Sequence, residues 1–420
     1  MKKLIVPAVL LLATAAEAGA PVIRESSVTM TQNASSREVT IAYTLEEEPA
    51  IVTVDIRTNN VSIGGGNLWY FRGDVNKVVK TGPRTITWRP DKAWPGHRIE
   101  SGVTAVVTAW ATNTPPDYMV VSLVAAKTVR FYADAGSIPG GVTDDLYKTD
   151  MIVMRKCPAA NVEWRMGSPT SETGRVDDRE TAHLVTLKDD YYIGVYPVTQ
   201  RQYERVWKTR PAFHSLDKDY ATRPVENVVY TSWRGSGYVW PTSGHDVNMD
   251  YTATGAFRKL TGIAFDLPTE AQWEFACRAG CGAALYSGKE LEAASGDSAN
   301  VGELARYAAS TLGPDAADCE AANAGTAKVG SLAPNAWGIY DMLGNVWELC
   351  LDYYQKNPTG YDVETGPETG ASGRVRRGGC YTSPANLCRS AFRSNIDANG
   401  STSDNRAIGV RFACPAGICE

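Results

Sequence analysis

Arg374-Val375-Arg376-Arg377-Gly378-Gly379-Cys380, then Cys388-Arg389-Ser390, then Gly409-Val410-Arg411-Phe412: this C-terminal stretch decides the fold. It is read together with two upstream segments, Leu267-Pro268-Thr269-Glu270-Ala271-Gln272-Trp273-Glu274-Phe275-Ala276 and Gly344-Asn345-Val346-Trp347-Glu348. Pro268 followed by Thr269 predicts a helix start with a threonine cap. Gln272, three positions on, completes a capping box. Trp273, Ala276 and Cys277 then fall on one buried stripe. A second helix is expected from Thr199 to Trp207, opened by Pro197 and capped by Thr199.

The first residues belong to export rather than to the fold. Met1-Lys2-Lys3 is a basic start, Leu4 to Ala16 is almost wholly apolar, and Ala16-Glu17-Ala18 is a small-x-small cleavage pattern. The expectation is a signal peptide over 1–18 and an exported protein that is periplasmic, secreted or at the cell surface. No later stretch approaches the length of a membrane span. The formal charge of -5, from 42 basic and 47 acidic residues, gives no electrostatic reason to expect nucleic acid. The short cluster Arg374, Arg376 and Arg377 is expected to pair internal carboxylates. Nine cysteines, all beyond residue 150, suggest disulfides in an exported chain, with at least one left over. Their scatter, with no histidine among the C-terminal ones, argues against a zinc cluster.

Residues 19–132 read as an all-β, immunoglobulin-like sandwich. Strands are expected at Val39–Tyr43, Ala50–Ile56, Arg84–Trp88, Gly102–Trp110 and Tyr118–Val124, with Pro/Gly turns between them. Residues 133–150, with Ile138-Pro139-Gly140-Gly141, read as a linker. From 151 to 420 regular elements shorten, and aromatics, glycines and cysteines rise. No Gly-x-Ser-x-Gly elbow and no phosphate-binding glycine loop is present.

The ordered motifs of this second region resemble the formylglycine-generating enzyme family, also called the sulfatase-modifying factor family. Trp164-Arg165-Met166-Gly167-Ser168, Tyr192 to Thr199, Pro224 to Val228, Leu267 to Gly280, Asn335 to Met342, Gly344 to Glu348 and the tail carry the likeness. The resemblance implies an irregular α+β, C-type-lectin-like fold. It also implies a pair of cysteines in the tail that hold copper(I), activate oxygen and convert a sulfatase cysteine to formylglycine. Carried onto this chain, the second cysteine is Cys388 and the first falls on Ser383, while Cys380 stands where the family usually has serine. A serine hydroxyl is a poor ligand for soft copper(I). In an extended strand Cys380 and Ser383 would point to opposite faces. The departure favours a non-catalytic binding or accessory protein with a protein, peptide or glycan ligand. The alternative is a copper-dependent oxidase acting on a sulfatase, with Cys380 recruited beside Cys388. Cys388 alone reads equally as a disulfide partner or a buried small residue.

The resemblance further implies structural calcium at Asn345, Val346 and Glu348, with oxygen ligands suited to that ion. The other reading has Asn345 capping a turn and Glu348 pairing with Arg411. A second family calcium site would precede Asn335, near Asp315 to Asn323. A related branch that makes carbon–sulfur bonds with iron is disfavoured: the four histidines, His97, His183, His214 and His245, lack the required spacing. The run from Arg389 to Ile408 is rich in small polar residues and suits an exposed, adaptable loop. It resembles the ligand-displaying tail of retroelement-diversified variable proteins, a third alternative.

Overall fold

Alternating β-branched and polar residues build the first unit in the computed structural model, which describes residues 19–97, 99, 102–214, 219–235, 250–308, 325–356, 373–399 and 404–417. The expected signal segment, 1–18, and the segment Asp315 to Asn323 lie outside the described residues. Two compact units emerge, one from residues 19–120 and 129–144, the other from 121–128 and 145–415. Residues 133–144, expected to be a linker, are instead part of the first unit. Asp134 caps the short turn Ala135–Ser137 there, and Ile138 is fully buried.

In the first unit, Val39–Glu46 alternates buried and half-buried positions, as a strand with one core face must. It pairs antiparallel with Gly82–Trp88 and Thr29–Gln32. A second sheet centres on Ala50–Thr58, paired antiparallel with Val103–Trp110 and Lys77–Val79. Val39, Ile41, Tyr43, Ile86 and Trp88 of the first sheet meet Val52, Val54, Ile56, Ala105 and Val107 of the second in one hydrophobic cluster. The unit is therefore two antiparallel sheets closed on a shared core.

The second unit has short elements and long connections. Met151–Cys157 pairs with Tyr191–Gly194, which pairs with Ala413–Pro415. Val162–Met166 forms a ladder with His183–Leu187. A four-stranded sheet runs Arg393–Ile396, Arg374–Arg377, Trp347–Tyr353, Ile408–Gly409, the last pair parallel. Three helices of eight or nine residues, Gln200–Trp207, Ala253–Thr261 and Glu270–Arg278, complete it. The first and last carry full capping boxes, Thr199 with Gln202 and Thr269 with Gln272. None of the described helices is long and apolar enough to cross a membrane.

The helix Glu270–Arg278 has no solvent face; every residue in it is buried. Its carboxylates are compensated by arginines, one within the helix and two from the distant tail. Glu270 bonds Arg393 at 2.7 Å, and Glu274 holds both Arg278 and Arg377. Arg377 thus pairs internal carboxylates as expected. Arg374 lies over the rings of Tyr353 and Tyr230, at 3.6 and 4.2 Å. Buried charges of this kind are tolerated only when each finds its partner.

The tail does not form the expected exposed loop over its first half. Arg389, Ser390, Ala391, Phe392 and Arg393 are buried, and Arg393–Ile396 is a strand. Arg389 is clamped between Glu172 and Glu180, with 2.7 Å contacts to Glu180. The polar letters that suggested exposure are core ion-pair partners.

Candidate active site

The strand Arg374–Arg377 ends on two glycines that turn the chain. Gly378 and Gly379 have φ of 90° and 76°, the left-handed region that a Cβ makes unfavourable. Space forbids a side chain as well: a Cβ at Gly379 would lie 2.6 Å from Cys388 Sγ and 3.0 Å from the Leu387 carbonyl oxygen. The Cys388 sulfur therefore packs against the backbone residue that immediately precedes Cys380.

Beyond the glycines the chain is a turn, not an extended strand. The Ser383 N–H donates to the Cys380 carbonyl at 2.9 Å, and the Cys380 N–H donates to Ser383 Oγ at 3.0 Å. This corrects the opposite-face expectation. Cys380 Sγ is 3.2 Å from Ser383 Oγ and 3.2 Å from Thr382 Oγ1. The side chains of Cys380 and Ser383 thus meet inside the turn. Pro384 then leads into the short turn Ala385–Leu387, whose first carbonyl accepts the Cys388 N–H at 2.9 Å. Cys380, Ser383 and Cys388 are all buried. Burial pushes the Cys388 thiol well above its ordinary range, and the Cys380 sulfur beside it pushes the same way.

A second loop fixes this turn from the side. Gly344 donates to the Gly378 carbonyl at 2.7 Å, and Tyr381 donates to the Asn345 carbonyl at 3.0 Å. Asn345 itself has φ of 64°, which asparagine tolerates better than most residues. Its side chain both accepts from Ala327 N–H at 2.9 Å and donates to the Ala327 carbonyl at 3.2 Å. Glu348 is fully buried and pairs with Arg411 at 2.7 Å, while Trp273 Nε1 donates to it at 2.7 Å. Asn345 thus ties a turn and Glu348 pairs with Arg411. Val346 is buried beside them.

All seven described cysteines are free thiols, so the expected disulfides are not formed among them; Cys319 and Cys419 lie outside the described residues. Six of the seven are buried in separate parts of the core. Burial pushes the Cys157 and Cys277 thiols up to about 12, as it also raises Cys388. Cys380 and Cys388 differ in lying on one turn, where Gly379, next to Cys380, packs against the Cys388 sulfur. Among the described residues no group of three or more His, Cys, Asp or Glu side chains is placed to hold a metal. The turn carries two thiols, Cys380 and Cys388, and soft sulfur ligands are the type that copper(I) favours.

Comparison with known proteins follows the same residues. The profile of the sulfatase-modifying factor enzyme 1-like domain matches residues 159–416. The chain belongs to this family. The formylglycine-generating enzyme of Thermomonospora curvata is 35% identical over 204 residues, 46% of this chain and 56% of that protein. The chain thus spans about half the length of that relative. The formylglycine-generating enzyme of Bos taurus is 31% identical over 350 residues, 76% of this chain and 88% of its own. Among solved structures, PvdO from Pseudomonas aeruginosa is 24% identical with a TM-score of 0.46, covering 63% of this chain and 94% of its own.

Sequence reasoning missed Thr382 as a neighbour of the Cys380 sulfur. It also missed the Gly344–Asn345 backbone as the support for the family's cysteine turn. The clue was Pro384: proline one residue beyond Ser383 is out of place in a paired strand and typical of a turn.

Proposed function

We propose that the family domain of this chain is a copper(I)-dependent oxidase of the formylglycine-generating type, in which Cys380 and Cys388 form the thiol pair. The observation that carries the reading is the 3.2 Å separation of Cys380 Sγ and Ser383 Oγ, with Cys388 Sγ packed against Gly379. A thiol at 380 reaches the place where the family's first cysteine would put one. Copper(I), when held by the two sulfurs, would supply the electron needed to activate dioxygen. The protein's own part is positional. On this reading the Gly378–Gly379 bend would let both sulfurs reach one copper ion, with the Thr382 and Ser383 hydroxyls beside the Cys380 sulfur. The Gly344 and Asn345 backbone fixes the turn that carries it.

The substrate on this reading is a cysteine of a sulfatase-like polypeptide. Its carbon–sulfur bond breaks and a carbonyl forms with one oxygen atom of dioxygen. The other oxygen leaves as water and the sulfur as sulfide, with two further electrons and two protons from a thiol reductant. We read the first unit as an immunoglobulin-like module, the second as C-type-lectin-like, and the chain as exported.

The test is direct. The mature chain, loaded with copper(I), is given a sulfatase-derived cysteine peptide, a thiol reductant and oxygen. Mass spectrometry with an aldehyde trap should then find the aldehyde. Copper retained without peptide oxidation would leave a copper-binding protein that is not an oxidase. Neither copper nor aldehyde would establish the second reading, a non-catalytic accessory protein, which the serine at position 383 favours.

A further inference from the structure

The first unit contains a cavity of about 330 Å³, a size typical of small-molecule sites. It lies between the strand Ala50–Thr58, its partner Val103–Trp110 and the segment 132–137. Val54, Leu68 and Phe71 give it an apolar side. Phe71 is held in place by Trp88, stacked behind it at 5.6 Å with 15° between the rings. Asp55, Arg57 and Asp134 give it a polar side.

The polar groups narrow the ligand class. Asp55 spends one oxygen on Arg57 and the other on Ser62, both at 2.7 Å. The carboxylate is thereby compensated and offers no strong cation site. Arg57 Nε donates to Asp55, and a second carboxylate, Asp134, lines the same wall, so an anion is disfavoured. Asp134 accepts from Ser137 N–H at 2.8 Å through Oδ1. A rigid aromatic ring beside carboxylate and hydroxyl hydrogen-bonding groups suits a ligand with C–H edges on one face and hydroxyls on the other.

We propose that this cavity binds one neutral pyranose unit of a glycan, its C–H face on Phe71 and its hydroxyls on the Asp55–Asp134 wall. The site is independent of the thiol pair and stands whether or not the second unit is an oxidase.

The test uses the full mature chain and saturation-transfer NMR with glucose, galactose, mannose, fucose and N-acetylglucosamine, each singly. At least one sugar should show transfer from the protein. Thr108 lines the cavity from an exposed strand position, so Thr108→Trp should fill the mouth without disturbing the core and abolish the transfer. Phe71→Leu should weaken the same sugar by about tenfold. Circular dichroism checks that both variants keep the wild-type fold. Absence of transfer from every sugar, or transfer that survives Thr108→Trp in a folded protein, overturns the proposal.

Discussion

Arg411 is the residue whose loss should be felt most. Its guanidinium bonds Glu348 at 2.7 Å and donates to the carbonyls of Gly194, Tyr340 and Asp341 at 2.8, 2.8 and 3.2 Å. Both Arg411 and Glu348 are fully buried. In Arg411→Met the Glu348 carboxylate keeps only Trp273 Nε1 among the donors described here, and three carbonyls lose a donor. Breaking a buried pair by removing one partner costs about 3–5 kcal/mol. Orphaned buried acceptors add roughly 1 kcal/mol or more each. The sum is on the order of 5 kcal/mol or more, a large part of a typical domain stability of roughly 5–15 kcal/mol. Urea unfolding followed by tryptophan fluorescence measures it, since Trp273 and Trp347 are both buried in this unit. Adding Glu348→Gln to Arg411→Met should recover about 2 kcal/mol, because the uncompensated charge is gone. A loss below about 1 kcal/mol in the single variant, or no recovery in the double, would refute the argument that this ion pair anchors the turn's supporting loop.

Three further outcomes are expected. Gly379→Ala places a methyl group 2.6 Å from Cys388 Sγ at φ of 76°, so copper(I) binding should fall sharply. The backbone strain alone should cost about 1–2 kcal/mol, read by denaturant unfolding. Thr269→Ala removes the cap of the buried helix Glu270–Arg278 and should cost about 1 kcal/mol in the same assay. Asp341 is pushed up to about 6 by burial, the largest cause, against an ordinary value of 3.8. The folded state therefore favours its protonated form. That stabilisation is complete below the ordinary value and is lost as pH rises through about 6. Asp341→Asn should remove this term, on the order of 2–3 kcal/mol, and flatten stability between pH 4.5 and 7. Urea midpoints of both proteins at the two pH values check it.

The caps of the helices at Thr199 and Thr269 were readable because capping is local chemistry within four residues. So were the strands Val39–Glu46, Gly82–Trp88 and Val103–Trp110 of the first unit, where alternation records burial directly, whereas residues 121–128, expected within that unit, fall in the second. The ion pairs were legible only in part. Glu348 with Arg411 was one of two open readings, while Arg389 meets Glu180 across 209 positions and nothing local names such a partner. That is why Arg389 to Ser394 read as a polar surface loop. The cysteine turn failed differently: its register was argued as a strand although Gly378, Gly379 and Pro384 all indicated a bend. Once the chain bends, a three-residue offset brings Cys380 and Ser383 together instead of apart.

The central claim is that Cys380 supplies the second sulfur. X-ray absorption at the copper edge of the copper(I)-loaded chain counts sulfur neighbours directly. Two sulfurs are expected in the wild type and in Ser383→Ala, falling to one in Cys380→Ser. A wild-type chain that takes up no copper, or a two-sulfur site that persists in Cys380→Ser, would contradict the account.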